Sequence, residues 1–364
     1  MNYLDDLYMM LDRPDVQTKA PMDPAAYRGH LFCEYPHDCM KAAFPNAVIT
    51  TNPKKHVSAV LVWGHSVCTA AMNVARRERC PILLCEDGFV RSVDTWCHRG
   101  AHVISRRSVS ITVDPYGYYF DAGRRSGLVR MLDSDLQPST AELAHAHAFM
   151  TTLVERRISK YNHQPLTFRP VGRPGVPKVL VVDQSFGDFA IRRGGADTKT
   201  FQTMLDDAIA GHPDCDILVK THPDALAHGS KRKGYYQHIQ QHDNVYPIRE
   251  PVNPYALMEL VDDVYVCTSQ LGLEALMAGK RVHVYGKPFY AGWGLTDDRQ
   301  DMSRQRHRTR TLDELVYITY FLYIHWNNPV DMKPCSAETA IQWIQTHRTP
   351  YVGVYPPHEE PPCD

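Results

Sequence analysis

Val179-Leu180-Val181-Val182 breaks into Asp183-Gln184-Ser185-Phe186-Gly187-Asp188, and further on Ile217-Leu218-Val219 ends in Lys220-Thr221-His222-Pro223. Between them Arg192-Arg193-Gly194-Gly195-Ala196-Asp197 leads into Phe201, Met204, Leu205, Ala208 and Ile209, which recur at helical spacing. Short apolar runs bounded by turn residues predict strands buried on both faces, and a helix joining two of them predicts a parallel sheet. Open parallel sheets bind ligands outside the carboxyl ends of their strands. Two consecutive strand ends here deliver the carboxylates Asp183 and Asp188, the arginines Arg192 and Arg193, Lys220 and His222. Such a rim suits an anionic ligand.

Working outward, the same strand-loop-helix pattern continues on both sides. Downstream, Asn244–Ile248 and Asp263–Cys267 read as strands, the second feeding Thr268-Ser269-Gln270-Leu271-Gly272 and a helix at Leu273–Ala278. Arg281–Tyr285 is the next strand, ending in Gly286-Lys287-Pro288-Phe289-Tyr290-Ala291-Gly292-Trp293-Gly294-Leu295-Thr296. The spacing of apolar residues from Leu312 to Leu322 and from Ala337 to Ile344 predicts helices, followed by a proline-rich tail after 350. Upstream, Val57–Trp63 reads as a strand ending in Gly64-His65-Ser66, Pro81–Cys85 as one ending in Glu86-Asp87-Gly88, and Val109–Val113 as one ending in Asp114. A helical stretch covers 141–161, and the segment up to residue 50 gives no clear pattern. Three prolines and two glycines in Arg169–Pro177 exclude a continuing helix and mark a linker. The reading is therefore α/β: a domain over 1–168, a second over 177–364 carrying C-terminal helices, and a cleft between them.

Composition narrows the class. With 364 residues the chain suits two ordinary domains, and 40 basic against 41 acidic residues leave no bulk attraction to nucleic acid. The N-terminus lacks a basic start followed by an apolar signal core, and no apolar run approaches the roughly 20 residues of a membrane span. Ten cysteines are scattered without a CxxC pair, which points to reduced thiols in a cytosolic protein. The 19 histidines form no HxxxH or HExxH on a helix, so no catalytic metal is expected.

Individual motifs carry two readings each. Ser269 and Gln270 stand where a strand meets a helix, a place for a phosphate or merely for a helix cap. Lys220 and His222 can hold or protonate a phosphate, whereas His222 can also be a surface residue before a proline turn. Glu86, Asp87, Asp183 and Asp188 supply four carboxylates suited to nucleophilic and acid–base work at a sugar carbon, although acids also favour caps and turns, and two of the four are expected to be structural. The basic run Arg304-Gln305-Arg306-His307-Arg308-Thr309-Arg310 reads as a solvated loop, with contact to anionic headgroups as its alternative.

Taken in this order, Cys85–Ser92, Asp114–Ala122, Asp183–Asp188, Val219–Pro223 and above all Lys287–Thr296 resemble capsule polysaccharide β-Kdo glycosyltransferases of the KpsC type over about 57–345. The resemblance implies a GT-B glycosyltransferase, with two Rossmann-like domains facing across a cleft and the donor held mainly by the C-terminal one. It implies a metal-independent, retaining transfer of Kdo from CMP-Kdo to a saccharide or lipid-linked Kdo acceptor, at the cytoplasmic face of the inner membrane. Such enzymes commonly carry two modules in tandem and this chain has one, which implies a single linkage or a different acceptor. On this reading His222, Ser269 and Gln270 hold the CMP phosphate with Lys220 nearby. Asp188 is the nucleophile with Asp183 as the alternative, and Glu86 or Asp87 takes the acceptor proton. Arg192 or Arg193 pairs with the Kdo carboxylate, and Lys287 and Trp293 shape the donor pocket. An inverting, sialyltransferase-like enzyme with Asp87 as base, a sugar-nucleotide epimerase and a non-catalytic binding module are the alternatives.

Overall fold

The computed structural model describes residues 3–13, 17, 20–64, 68–95, 103–222, 233–239 and 243–348. His65 and Ser66, Pro223 and the proline-rich tail after 350 lie outside the described residues. The chain divides into two compact units, the first running to Phe149 and completed by Lys160–Asn162 and Asp313–Arg348, the second comprising Met150–Ser159 and His163–Leu312. Each is built on a six-stranded sheet.

The second unit holds β6 (Lys178–Val182), β7 (Asp216–Lys220), β8 (Val245–Ile248), β9 (Asp263–Val266), β10 (Arg281–Val284) and the two-residue β11 (Asp297–Asp298) in the order β11-β10-β9-β6-β7-β8. All its pairings are parallel. Strands β6, β7 and β8 step one way from the centre and β9, β10 and β11 the other, so the chain reverses direction between β6 and β9. In open parallel sheets, ligands bind outside the carboxyl ends of the two strands at such a reversal, here β6 and β9. The helix Thr198–Gly211 covers one face. Asp197 caps it in a reciprocal box with Thr200, and Phe201, Met204, Leu205 and Ala208 are buried at i, i+3, i+4 and i+7. Burying each of the three large side chains stabilises by about 1.5–3 kcal/mol.

The first unit holds β1 (Gly29–Cys33), β2 (Ala47–Thr50), β3 (Ala59–Trp63), β4 (Ile82–Asp87), β5 (Ser110–Asp114) and β12 (Ile324–Trp326) in the order β12-β5-β4-β3-β1-β2. Along β3, Val60 and Val62 enter one core layer with the helix Thr69–Glu78, while Ala59 and Leu61 enter the other with Met40 and Phe44. The two-residue alternation thus buries both faces. β5 runs antiparallel to β4, and β12 antiparallel to β5.

Two Rossmann-like units in one chain give the expected α/β, GT-B architecture. The division between them differs from a single cut near 165–177: Asp313–Arg348 returns to the first unit and adds β12 to its sheet. A three-residue strand is too short to leave a periodic signal beside the helical spacing that precedes it. Among the described residues no helix is long and apolar enough to cross a membrane.

Candidate active site

In the second unit, pairing of Val182 with Lys220 brings the ends of β6 and β7 together, and the amide of Asp183 then donates to the Lys220 carbonyl at 3.0 Å. The Asp183 side chain turns inward and is 1 % exposed. Its Oδ1 accepts from the amides of Gln184 (2.8 Å), Tyr235 (2.8 Å) and Tyr236 (3.3 Å). Its Oδ2 is buried with no hydrogen-bond partner among the described residues. Burial pushes this carboxyl up from its ordinary 3.8 to about 6, against the backbone amides that favour the charged form. Gly234 makes the arrangement possible, since a Cβ there would lie 2.0 Å from Oδ2.

Three further contacts organise these strand ends. Gln184 spans from the end of β6 to the end of β9: its Oε1 accepts from the Thr268 amide at 2.9 Å, and its Nε2 donates to Thr268 Oγ1 at 3.0 Å. Ser185 Oγ lies 3.0 Å from His222 Nδ1, which fixes the ring. Lys220 is 5 % exposed, and burial lowers its ammonium to about 8 although Asp183 and Glu274 act to raise it. Glu274, 3 % exposed in the helix Leu271–Met277, accepts from Ser159 Oγ at 2.8 Å. Two buried acids, Asp183 and Glu274, and one buried amine, Lys220, therefore lie at the chain-reversal point.

The other expected residues fall in three groups. Ser269 Oγ accepts from the Leu271 amide at 3.2 Å and Gln270 heads the short helix, so both stand at the carboxyl end of β9. Asp188 is exposed and caps the short helix Phe189–Arg193, its Oδ1 accepting from the Ala190 amide at 2.8 Å. Arg192 is exposed and Arg193 half-buried on that helix, the latter over the Phe189 ring.

Lys287 is half-buried, and its amide donates to the Gly194 carbonyl at 2.7 Å. Trp293 is fully buried, and its indole N–H donates to the Phe289 carbonyl at 2.7 Å. The basic run departs from the expected solvated loop, because Arg306 and Arg310 are buried. Arg306 lies over the Trp293 ring and donates to the carbonyls of Pro288 (2.6 Å), Ala291 and Lys287 (3.3 Å), and burial lowers it to about 10. Trp293 and Arg306 thus hold the Lys287–Thr296 loop from beneath.

In the first unit Glu86 and Asp87 end β4 and are half-buried. Asp87 Oδ2 pairs with Arg91 Nε at 2.7 Å, while its Oδ1 is buried without a hydrogen-bond partner among the described residues. Lys160 belongs to this group. Burial acts to lower its pKa, but Tyr119, Tyr161, Asp87 and Glu86 outweigh that and the net shift is upward. The Asp114 motif is structural. Asp114 accepts from the amides of Tyr116, Gly117 and Gly127 and from Tyr323 OH, all within 3.2 Å, and burial raises it to about 6.

Sequence reading passed over Glu274, Lys160 and Gly234. An acid inside the apolar run Leu271–Met277 is a usable signal for the first. Nothing local marks the other two, which the fold brings in from distant segments.

Residues 144–327 match the family described as capsule polysaccharide biosynthesis protein. The capsule polysaccharide modification protein LipA of Neisseria meningitidis serogroup B is 38 % identical over 302 residues, 80 % of this chain and 42 % of LipA. The chain thus spans less than half the length of that curated relative. Among solved structures, the beta Kdo 2,4 transferase of Thermosulfurimonas dismutans KpsC is 34 % identical with a TM-score of 0.77, covering 87 % of this chain and 98 % of that one. The beta Kdo 2,7 transferase of the same KpsC is 25 % identical with a TM-score of 0.63, covering 89 % and 100 %. The chain belongs to the capsule polysaccharide biosynthesis family, in its KpsC-type branch.

Proposed function

We propose that this chain is a retaining glycosyltransferase that moves Kdo from CMP-Kdo to a saccharide or lipid-linked Kdo acceptor in capsule or cell-surface polysaccharide synthesis. Family membership and the likeness to the KpsC transferases support the reaction class. The observation that carries the chemistry is Asp183: a buried carboxylate, with one oxygen unpartnered among the described residues, at the chain-reversal point of a Rossmann-like sheet.

An oxygen that donates no lone pair to hydrogen bonds is free to attack, and a poorly solvated carboxylate is the stronger nucleophile. Asp183 therefore takes precedence over Asp188, whose carboxylate caps a helix in solvent. As CMP departs, positive charge develops at the quaternary anomeric carbon, and the ionised Asp183 captures that carbon as a covalent ester. The phosphate, already a good leaving group, is held by Lys220 and His222 with Ser269 and Gln270, and the transfer needs no metal. Arg192 or Arg193 pairs with the Kdo carboxylate, for which a guanidinium fork is well matched. Of the first unit's acids, Asp87 takes the acceptor proton and Glu86 supports it. We place the action at the cytoplasmic face of the inner membrane, with exposed Arg304 and Arg308 touching anionic headgroups.

The test incubates purified protein with CMP-Kdo and Kdo-terminated lipid acceptors, and reads the product by NMR. A β-linked product is expected. Absence of both transfer and CMP-Kdo hydrolysis refutes the activity, whereas an α-linked product supports the inverting reading in which Asp87 is the base and no ester forms.

A further inference from the structure

Away from the carboxyl ends of its strands, the opposite edge of the second sheet gathers a different set of groups. Asp263 opens β9, His283 lies on β10, and His212 ends the helix Thr198–Gly211. One ligand atom from each lies within 4.8 Å of the other two. Asp263 is buried and the two histidines are half-buried. His283 Nε2 lies 2.9 Å from Asp263 Oδ1, and its Nδ1 lies 2.7 Å from Asp297 Oδ2. Stacking on Tyr265 at 4.3 Å holds the ring in this orientation. His212 Nε2 is 3.0 Å from Tyr265 OH.

We propose that His212, Asp263 and His283 bind one divalent cation of the zinc class, with Asp297 as the outer carboxylate that orients His283. Two imidazoles and one carboxylate make the donor set that zinc takes when one coordination position stays open to water. The contact from Asp297 to Nδ1 selects the tautomer whose Nε2 lone pair faces the cation, as the outer partners of metal-bound histidines do. Zinc–ligand bonds of about 2.0–2.2 Å place donors somewhat over 3 Å apart. The Asp263–His283 pair must therefore open slightly, and His212 must close in by up to roughly 1.4 Å.

One competitor is visible. Arg281 donates to Asp263 through Nε at 2.8 Å and Nη2 at 2.6 Å. Its side chain is 73 % exposed, and its Nη2 bond goes to Oδ2, which leaves Oδ1 for the cation when Nε withdraws. The site ties the end of one helix to two strands, so its role is to brace the sheet, and it is independent of the catalytic reading.

The full-length chain, stripped with a chelator, is titrated with Co²⁺ followed by visible absorption, and with Zn²⁺ followed by calorimetry and thermal melting. One equivalent is expected to bind, with a tetrahedral nitrogen–oxygen spectrum lacking thiolate charge transfer, and Zn²⁺ is expected to raise the melting temperature. His212→Gln and His283→Gln should each weaken binding at least about 100-fold, and Asp297→Asn about 10-fold. Arg281→Gln should tighten it. The Asp297 and Arg281 variants change groups at the margin of the cluster, so they report even if the histidine variants fail to fold. Failure to take up one equivalent, a thiolate-type spectrum, or affinity unchanged across Asp297→Asn and Arg281→Gln would overturn the proposal, and leave the cluster as an ion-pair network only.

Discussion

Strand ends β4 and β6 both present acids, yet they treat them in opposite ways. At the end of β4, Asp87 is paired with Arg91 at 2.7 Å and Lys160 lies within electrostatic reach, so cations neutralise that pair. At the end of β6, Asp183 accepts from the amides of Gln184, Tyr235 and Tyr236 and has Lys220 within electrostatic reach, yet burial still lifts it to about 6. At β4 one oxygen of Asp87 is held by a cation and the other has no hydrogen-bond partner among the described residues. An amide-held, dry acid suits bond formation to carbon, because its charge is stabilised least before the reaction and shared most after it. The difference comes from neighbours rather than from residue type.

The sharpest way to break the comparison is substitution at the two acids of the β6 loop. Asp183→Asn should cut transfer at least about 10⁴-fold, whereas Asp188→Asn should cost under about 10-fold, both read as kcat with CMP-Kdo. At β4, Asp87→Asn should cost about 10²–10⁴-fold, the range of general-base removal. Gly234→Ala drives a methyl against Asp183 Oδ2 and should lower kcat about 10²-fold as the carboxylate shifts off its attack position. A larger effect at Gly88, where a Cβ would meet Ser110 Oγ at 2.1 Å, would instead make β4 the more sensitive end.

Acidity sharpens the contrast. The rate should rise through about pH 6 as Asp183 ionises and fall through about pH 8 as Lys220 loses its proton. Lys220→Arg should move the alkaline limb upward and leave the acid limb in place.

Stability has the reverse dependence on Asp183. Its folded pKa of about 6 lies above the ordinary 3.8, so between these values the native chain holds a proton that the unfolded chain has released. The stabilisation is complete below about pH 4 and is lost as pH rises through about 6, by up to about 3 kcal/mol per group. Asp114, also raised to about 6, adds the same sign. Denaturant melts of Asp183→Asn across this window should show the slope reduced by Asp183's share. The smallest effect belongs to the cap: Asp188→Ala should cost about 1 kcal/mol in such melts.

Much of this was legible in the chain. Continuous apolar runs gave β3, β4, β6, β7, β9 and β10, because strands buried on both faces need apolar residues at every position. The strand ends then supplied Asp183, Lys220, His222 and Asp87 without further information. β1 was not legible: Gly29-His30-Leu31-Phe32-Cys33 is short, begins with two polar-compatible residues, and is buried only over its last three. Arg306 and Arg310 were misplaced for a related reason. Sequence shows that a loop is rich in basic residues, but not which of its side chains fold under it. Asp183 and Asp188, five positions apart in one loop, come to differ in burial only when Gly234 and Tyr235 arrive from elsewhere in the chain.

The most direct measurement mixes the protein with CMP-Kdo in the absence of acceptor, quenches in acid, and maps the peptide spanning 183–188 by tandem mass spectrometry. A Kdo increment localised to Asp183, and absent from Asp183→Asn, is the expected result. An increment on Asp188, or an unmodified peptide from protein that forms β-linked product, would contradict the account.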